Sequence, residues 1–101
     1  MMYTLESTEY FRRWWNKLQD KQSRIRILRR LDAICIGSFG DHKQLAPNLF
    51  ELRFFFGPGY RIYYTIRANT VVLLLAGGDK AHQQHDINKA TELLQNIGDG
   101  T

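Results

Sequence analysis

The hydrophobic positions change period along the chain, and each change marks an element. Across residues 2–7, Tyr3 and Leu5 alternate with Thr4 and Glu6, the two-residue period of a half-buried strand. From Ser7 or Thr8 onward, Phe11, Trp14, Trp15 and Leu18 recur at i, i+3, i+4 and i+7, which lines one side of a helix capped by a hydroxyl side chain. Asp20 then caps a second helix in which Ile25, Leu28, Leu31 and Ile34 or Cys35 keep that spacing as far as Gly37. Residues 38–48, with Gly40, Asp41, Pro47 and Asn48, read as a surface loop. Residues 49–56 and 60–67 are rich in aromatic and β-branched side chains and flank Gly57-Pro58-Gly59, which predicts a hairpin. Asn69 and Thr70 turn the chain into residues 71–76, apolar on both faces and therefore a buried strand. Gly77, Gly78 and Asp79 end that strand and open a last helix with Ile87, Ala90, Leu94 and Ile97 on one face. The expectation is an α+β fold in the order strand, helix, helix, three antiparallel strands, helix, with the helical hairpin packed on one face of a four-stranded sheet.

Pairing Phe56 with Tyr60 across the hairpin loop places Phe55 opposite Arg61, Arg53 opposite Tyr63 and Glu51 opposite Thr65. Phe50, Leu52, Phe54, Phe56, Tyr60, Ile62, Tyr64 and Ile66 then share one side and would meet the helices. Glu51, Arg53, Phe55, Arg61, Tyr63, Thr65 and Arg67 share the other. Arginines interleaved with Phe55 and Tyr63 suit the phosphates and unstacked bases of single-stranded RNA. The plainer reading is the wet face of an antiparallel sheet, with Arg53 paired to Glu51 or Asp86.

Charge sharpens this picture. The 101 residues carry 14 Lys and Arg against 10 Asp and Glu, a net charge of +4 that favours polyanionic partners. Eight of the 14 basic residues, Arg12, Arg13, Lys17, Lys21, Arg24, Arg26, Arg29 and Arg30, lie in the two helices, either as a solvated exterior or as a docking surface. A chain of this length has room for one domain, residues 1–101. Cys35 stands alone in an apolar run, so no internal disulfide forms and a buried thiol is expected. With no leader-like start and no run near the roughly 18 apolar residues of a span, a cytoplasmic protein without membrane contact is the default.

Phe50-Glu51-Leu52-Arg53, then Gly59-Tyr60-Arg61-Ile62-Tyr63-Tyr64, then Ala76-Gly77-Gly78-Asp79-Lys80 opening a helix with Gln83, Gln84, Asp86, Ile87 and Ala90, form an ordered set. In these residues and in the order of its elements the chain resembles the HigB-type "addiction module killer" branch of the RelE/ParE toxin superfamily. The resemblance covers essentially the whole sequence. It implies the toxin of a type II toxin–antitoxin pair, neutralised by a cognate antitoxin that in this branch is typically a small helix-turn-helix DNA-binding protein. RelE and HigB types cleave mRNA on the ribosome, whereas ParE types poison DNA gyrase; a non-catalytic binding module is the third class.

The ribonucleolytic members need no metal or cofactor, because the RNA 2′-hydroxyl attacks its own 3′ phosphate. A base, an acid and phosphate-binding cations are then required. Arg61 matches the arginine that the family sets against the scissile phosphate, and Lys80 follows the glycine turn where the family often carries a basic residue. Arg53 is a second phosphate ligand, with Phe55, Tyr63 and Arg67 completing the RNA-binding expectation. His82 and His85, one helical turn apart beside Lys80, are the acid–base candidates with Tyr63 as the alternative, since free imidazole titrates near ~6.5, against the plainer reading of surface histidines. Some ribonuclease members have a tyrosine in the last helix; this sequence has Asp86 and Ile87 there and no tyrosine after Tyr64.

Overall fold

In a computed structural model, which describes residues 2–97, a five-stranded sheet organises the chain. The strands are β1 (Thr4–Ser7), β2 (His42–Ala46), β3 (Leu49–Arg53), β4 (Tyr60–Arg67) and β5 (Val71–Asp79). The helices are α1 (Glu9–Lys17), α2 (Lys21–Cys35) and α3 (Gln83–Ile97), the last entered through a 3₁₀ turn at Lys80–His82. The spatial order is β1-β5-β4-β3-β2, with β1 parallel to β5 and the other pairs antiparallel. No described helix is long and apolar enough to cross a membrane.

Local chemistry explains where the first helices begin. Thr8 Oγ1 accepts from the Phe11 amide at 3.0 Å and donates to the Leu75 carbonyl at 2.7 Å, so one hydroxyl both caps α1 and ties it to β5. Asp20 accepts from the Gln22 amide and the Ser23 hydroxyl at the start of α2. Such caps are each worth about 1 kcal/mol. The α1 stripe lies as its spacing predicts, with Phe11 buried and Trp14, Trp15 and Leu18 packed around the core. The α2 stripe is rotated from expectation. Ser23, Ile27, Leu31 and Ile34 face inward, while Ile25 and Leu28 are exposed. Two arginines flank the buried stripe and reach inward: Arg24 donates to the Trp15 and Leu18 carbonyls, and Arg30 to those of Phe39, Asp41 and Arg53. Their guanidinium groups also lie over aromatic rings, Arg24 over Trp15 at 4.3 Å and Arg30 over Phe54 at 4.5 Å.

Four further expectations are corrected. Residues 38–48 are not all loop, for β2 pairs with β3 there and makes the sheet five-stranded rather than four-stranded. Its side chains are mostly exposed, so it lacks the alternation that betrays a half-buried strand. The hairpin register differs by two residues: Arg53 faces Arg61, Leu52 faces Ile62 and Glu51 faces Tyr63. An even shift preserves sidedness, so the change of register by itself turns no strand residue to the other face. The β4–β5 turn falls at Ala68 and Asn69, both at positive φ, one residue earlier than predicted. Cys35, expected to be buried, is partly exposed.

One sheet face carries Leu52, Phe54, Tyr60, Ile62, Tyr64, Val72 and Leu74 against Phe11, Ile27, Leu31 and Ile34 of α1 and α2. The other carries Leu49, Tyr63, Leu73, Leu75 and Ala76 against Ala90, with Ile87, Leu94 and Ile97 of α3 packed beside them. Helices therefore cover both faces. Because β1 pairs only with Val71–Leu74, the C-terminal half of β5 has no strand beside it on that edge, and α1 crosses there instead.

Candidate nucleic-acid interface and acid–base cleft

The face expected to be a wet cationic surface lies largely under α3. Glu51, Arg61, Tyr63 and Thr65 are all buried, Arg61 at 6% exposure and Tyr63 at 0%. Gln83, at the start of α3, donates to Glu51 Oε2 at 2.7 Å and so pins the helix to the sheet. Arg61 Nε stands 3.9 Å from the same oxygen, and Arg61 Nη1 donates to the Gly59 and Tyr60 carbonyls at 3.0 and 3.1 Å. The Tyr63 hydroxyl has no hydrogen-bond partner of good geometry; burial, then the carboxylates of Glu51 and Asp86, hold its pKa well above the ordinary value. It stays protonated at any physiological pH. Alternation in the sequence told which residues share this side but carried no information on what packs over it. Arg67 lies at the far end of β4, opposite Val71 and away from the other predicted site residues.

Two predicted cations do converge. The Lys80 amide donates to the Pro58 carbonyl at 3.4 Å, bringing the start of the 3₁₀ turn against the hairpin loop. Gly59 sits between them at φ 76°, and a β-carbon there would lie 3.2 Å from Lys80 Cβ and 3.5 Å from Arg61 Nη1. Glycine is required at this point for both backbone and space. Arg61 approaches the turn from beneath and Lys80 from solvent.

Beside this turn, a cleft of about 500 Å³ opens between α1 and the end of β5. Tyr10, Arg13, Trp14 and Lys17 form one wall; Asp79, His82, His85 and Asp86 form the other, over Gly77 and Gly78. Asp79 caps the 3₁₀ turn by accepting from the His82 amide at 3.1 Å, and the same carboxylate oxygen lies 2.8 Å from His82 Nδ1. That hydrogen bond, with the charge of Asp79, raises the His82 pKa above its ordinary value, so protonated imidazole persists closer to neutrality. Asp86 is 7% exposed and its Oδ2 has no hydrogen-bond partner; burial raises its pKa, opposed by His85 and His82. Sequence reasoning put His82 and His85 together but missed the α1 wall. The available signal was helical spacing: Tyr10, Arg13, Trp14 and Lys17 fall at i, i+3, i+4 and i+7. Among the described residues no group of three or more His, Cys, Asp or Glu side chains is placed to hold a metal ion.

Arg53 and Phe55 belong elsewhere. They line a groove of about 380 Å³ with Arg26, Arg29 and Arg30 of α2. Arg53 pairs with Asp41 at 3.1 Å rather than with Glu51 or Asp86. Phe55 projects from the hairpin at 78% exposure, with the Arg53 guanidinium 5.9 Å from its ring centre.

A helical pair on one side of a mostly antiparallel sheet, a third helix on the other, and a β1 strand parallel to β5 define the RelE fold. The E. coli toxin RelE, solved as an arginine-to-alanine double mutant in the free state, superposes with a TM-score of 0.74 at 21% identity, covering 91% of this chain and 97% of RelE. The toxin–antitoxin complex RelBE2 from Mycobacterium tuberculosis matches with a TM-score of 0.54 at 26% identity, over 79% of this chain and 100% of that one. The intact E. coli RelBE complex matches with a TM-score of 0.64 at 20% identity, over 76% of this chain and 95% of that one. In fold the chain is similar to these RelE toxins and RelBE complexes. An uncharacterized protein of Haemophilus influenzae is 37% identical over 98 residues, 97% of this chain and 99% of that protein, and the chain belongs to the same family. No family model matches the sequence.

Proposed function

We propose that this protein is the toxin of a type II toxin–antitoxin pair and that it cleaves mRNA on the ribosome by metal-independent attack of a 2′-hydroxyl on the adjacent phosphate. The observation that carries the reading is the His82–Asp79 pair at 2.8 Å on the rim of a cleft whose opposite wall holds Arg13 and Lys17. In this scheme Lys80 and Arg61, gathered at Gly59, neutralise the charge that builds on the phosphorane. His82, its proton held by Asp79, donates to the leaving 5′ oxygen, and His85 accepts the 2′ proton. Tyr10 and Trp14 offer flat surfaces to the flanking bases. The scheme uses neither Tyr63, which is enclosed, nor Arg67, which is remote. A cognate antitoxin follows from the same reading, supported by the RelE-fold neighbours that were solved as toxin–antitoxin complexes. In a HigB-type pair it would be a small helix-turn-helix protein encoded beside this chain.

The test is induced expression followed by primer extension on cellular mRNA. Growth arrest with new 5′ ends inside translated codons is expected, and His82→Gln and Lys80→Ala should remove the ends while leaving the fold intact, since both side chains are exposed. Arg61→Ala should remove them too, but its burial makes a folding control necessary. Arrest with intact mRNA and broken DNA would move the assignment to gyrase inhibition. A chain harmless without any antitoxin would move it to a binding module. In an NMR titration, Asp79→Asn should lower the His82 pKa toward its ordinary value by removing the carboxylate that stabilises the imidazolium.

A further inference from the structure

The groove beside α2 is separate from the acid–base cleft, and its composition is unusual for an unused surface. Three consecutive phenylalanines each stand beside an arginine: Arg30 over Phe54 at 4.5 Å, Arg53 near Phe55 at 5.9 Å and Arg26 over Phe56 at 3.9 Å. Arg29 adds a fourth guanidinium, and Asp41 is the only acid lining the groove. Asp41 neutralises Arg53 in part, through one 3.1 Å contact. Arg30 is spent on the carbonyls of Phe39, Asp41 and Arg53 and serves to hold the groove's wall. Arg26 and Arg29 stay exposed on α2, and the Arg53 Nε is buried without an acceptor. Phe54 and Phe56 are packed against the core, yet Phe55 between them is left in solvent.

We propose that this groove binds single-stranded RNA, with phosphates on Arg26 and Arg29 and an unstacked base on Phe55. The chemistry favours a nucleic acid strand over other occupants. An isolated exposed ring beside guanidinium groups offers one stacking platform together with cations for the adjoining backbone. Arg53 in the groove is also the register partner of Arg61 at the Gly59 turn, so the groove and the turn lie on neighbouring strands of one hairpin. The assignment rests on the RNA-directed reading of the cleft but involves other residues. It makes the groove a holding site, with the reaction confined to the cleft.

The experiment measures affinity by fluorescence anisotropy with a labelled 2′-O-methyl RNA of roughly ten nucleotides, within the range a single-strand site covers. This probe has no free 2′-hydroxyl, so binding is read without cleavage. Phe55→Ala should weaken binding at least about fivefold, and Phe55→Trp should restore it, as loss and return of one stacked base require. Arg26→Glu with Arg29→Glu should weaken it further and flatten the plot of log affinity against log salt by roughly 1.4, from about 0.7 per lost phosphate contact. Melting temperatures of the variants, all changed at exposed positions, verify the fold. Affinity and salt slope unchanged in these variants would overturn the proposal, as would no RNA binding by the wild type. RNA binding indifferent to them, with an aspartate- and glutamate-rich peptide bound in their place, would also overturn it and assign the groove to an acidic protein partner. Groove-dependent binding without cleaved mRNA on induction would sink the nuclease reading alone; cleaved mRNA with groove-independent binding would sink the groove alone.

Discussion

Beneath α1 and α2 the sheet presents Leu52, Phe54, Ile62 and Tyr64 to Ile27, Leu31 and Ile34, a layer of interlocking apolar and aromatic side chains. Beneath α3 the same strands present Glu51, Arg61, Tyr63 and Thr65, and the helix answers with Gln83 and Asp86. Both layers exclude solvent, but they do so at different cost. Burying aliphatic side chains stabilises the fold by roughly 25 cal/mol per Å² of apolar surface. Burying a carboxylate and a guanidinium costs desolvation that a 3.9 Å ion pair recovers only in part. Both layers bury apolar side chains, the second through Leu49, Leu73 and Leu75 against Ala90; only the second also keeps ionisable groups fixed beside the Gly59 turn and the acid–base cleft.

Unfolding experiments separate the layers. The largest effect is expected from Ile27→Ala, which empties a fully buried position in the apolar layer and should cost about 2–5 kcal/mol in denaturant titration. A loss below 1 kcal/mol would mean that this layer is not the source of stability. Gly78→Ala comes next: its β-carbon would overlap the Asp86 carboxylate, so about 1–3 kcal/mol should be lost, and Asp86→Ala in the same chain should recover part of it.

Asp86→Asn should act through pH. Burial raises the folded pKa of Asp86 above its ordinary 3.8, so the folded chain holds this proton more tightly than the unfolded one. The stability this residue contributes is full below the ordinary value and is lost as pH rises through the raised one. The difference in stability between Asp86→Asn and the wild type should therefore shift in favour of the variant as pH climbs through that window. A difference independent of pH would count against a buried, titrating carboxylate. Tyr63→Phe is the smallest change. Removing a buried hydroxyl that lacks a partner should leave stability within about 1 kcal/mol of the wild type or raise it, and a larger loss would reveal a bond between Tyr63 and Glu51.

The apolar layer was legible in the sequence because its period repeats: Phe11, Trp14, Trp15 and Leu18 on α1, and the alternation from Phe50 to Tyr64 across the hairpin, can be satisfied by few arrangements. α2 misled because Ile25 and Leu28 fit a helical stripe as well as Ile27, Leu31 and Ile34 do, and spacing alone does not say which stripe turns toward the sheet. β2 escaped notice because an edge strand with exposed side chains has no hydrophobic signature. For the site, sequence proximity brought Lys80, His82 and His85 together. It could not bring Arg13 and Lys17 to them, nor separate Arg53 and Phe55 from Arg61, because those relations depend on how helices dock. Arg61 and Tyr63 were placed on the correct side, yet a strand's alternation is silent about the helix that covers it.

Gly77 and Gly78 follow one another on β5, and neighbouring residues of a strand point to opposite faces. A β-carbon at the first would strike the Trp14 indole, and one at the second the Asp86 carboxylate. For the width of two residues the sheet is bare backbone, a thin septum with α1 leaning on one side and the start of α3 on the other. Variation across the lineage is therefore constrained in pairs: drift at Gly77 has to be matched on α1 and drift at Gly78 on α3. An aligned set of relatives should show these positions changing together or not at all.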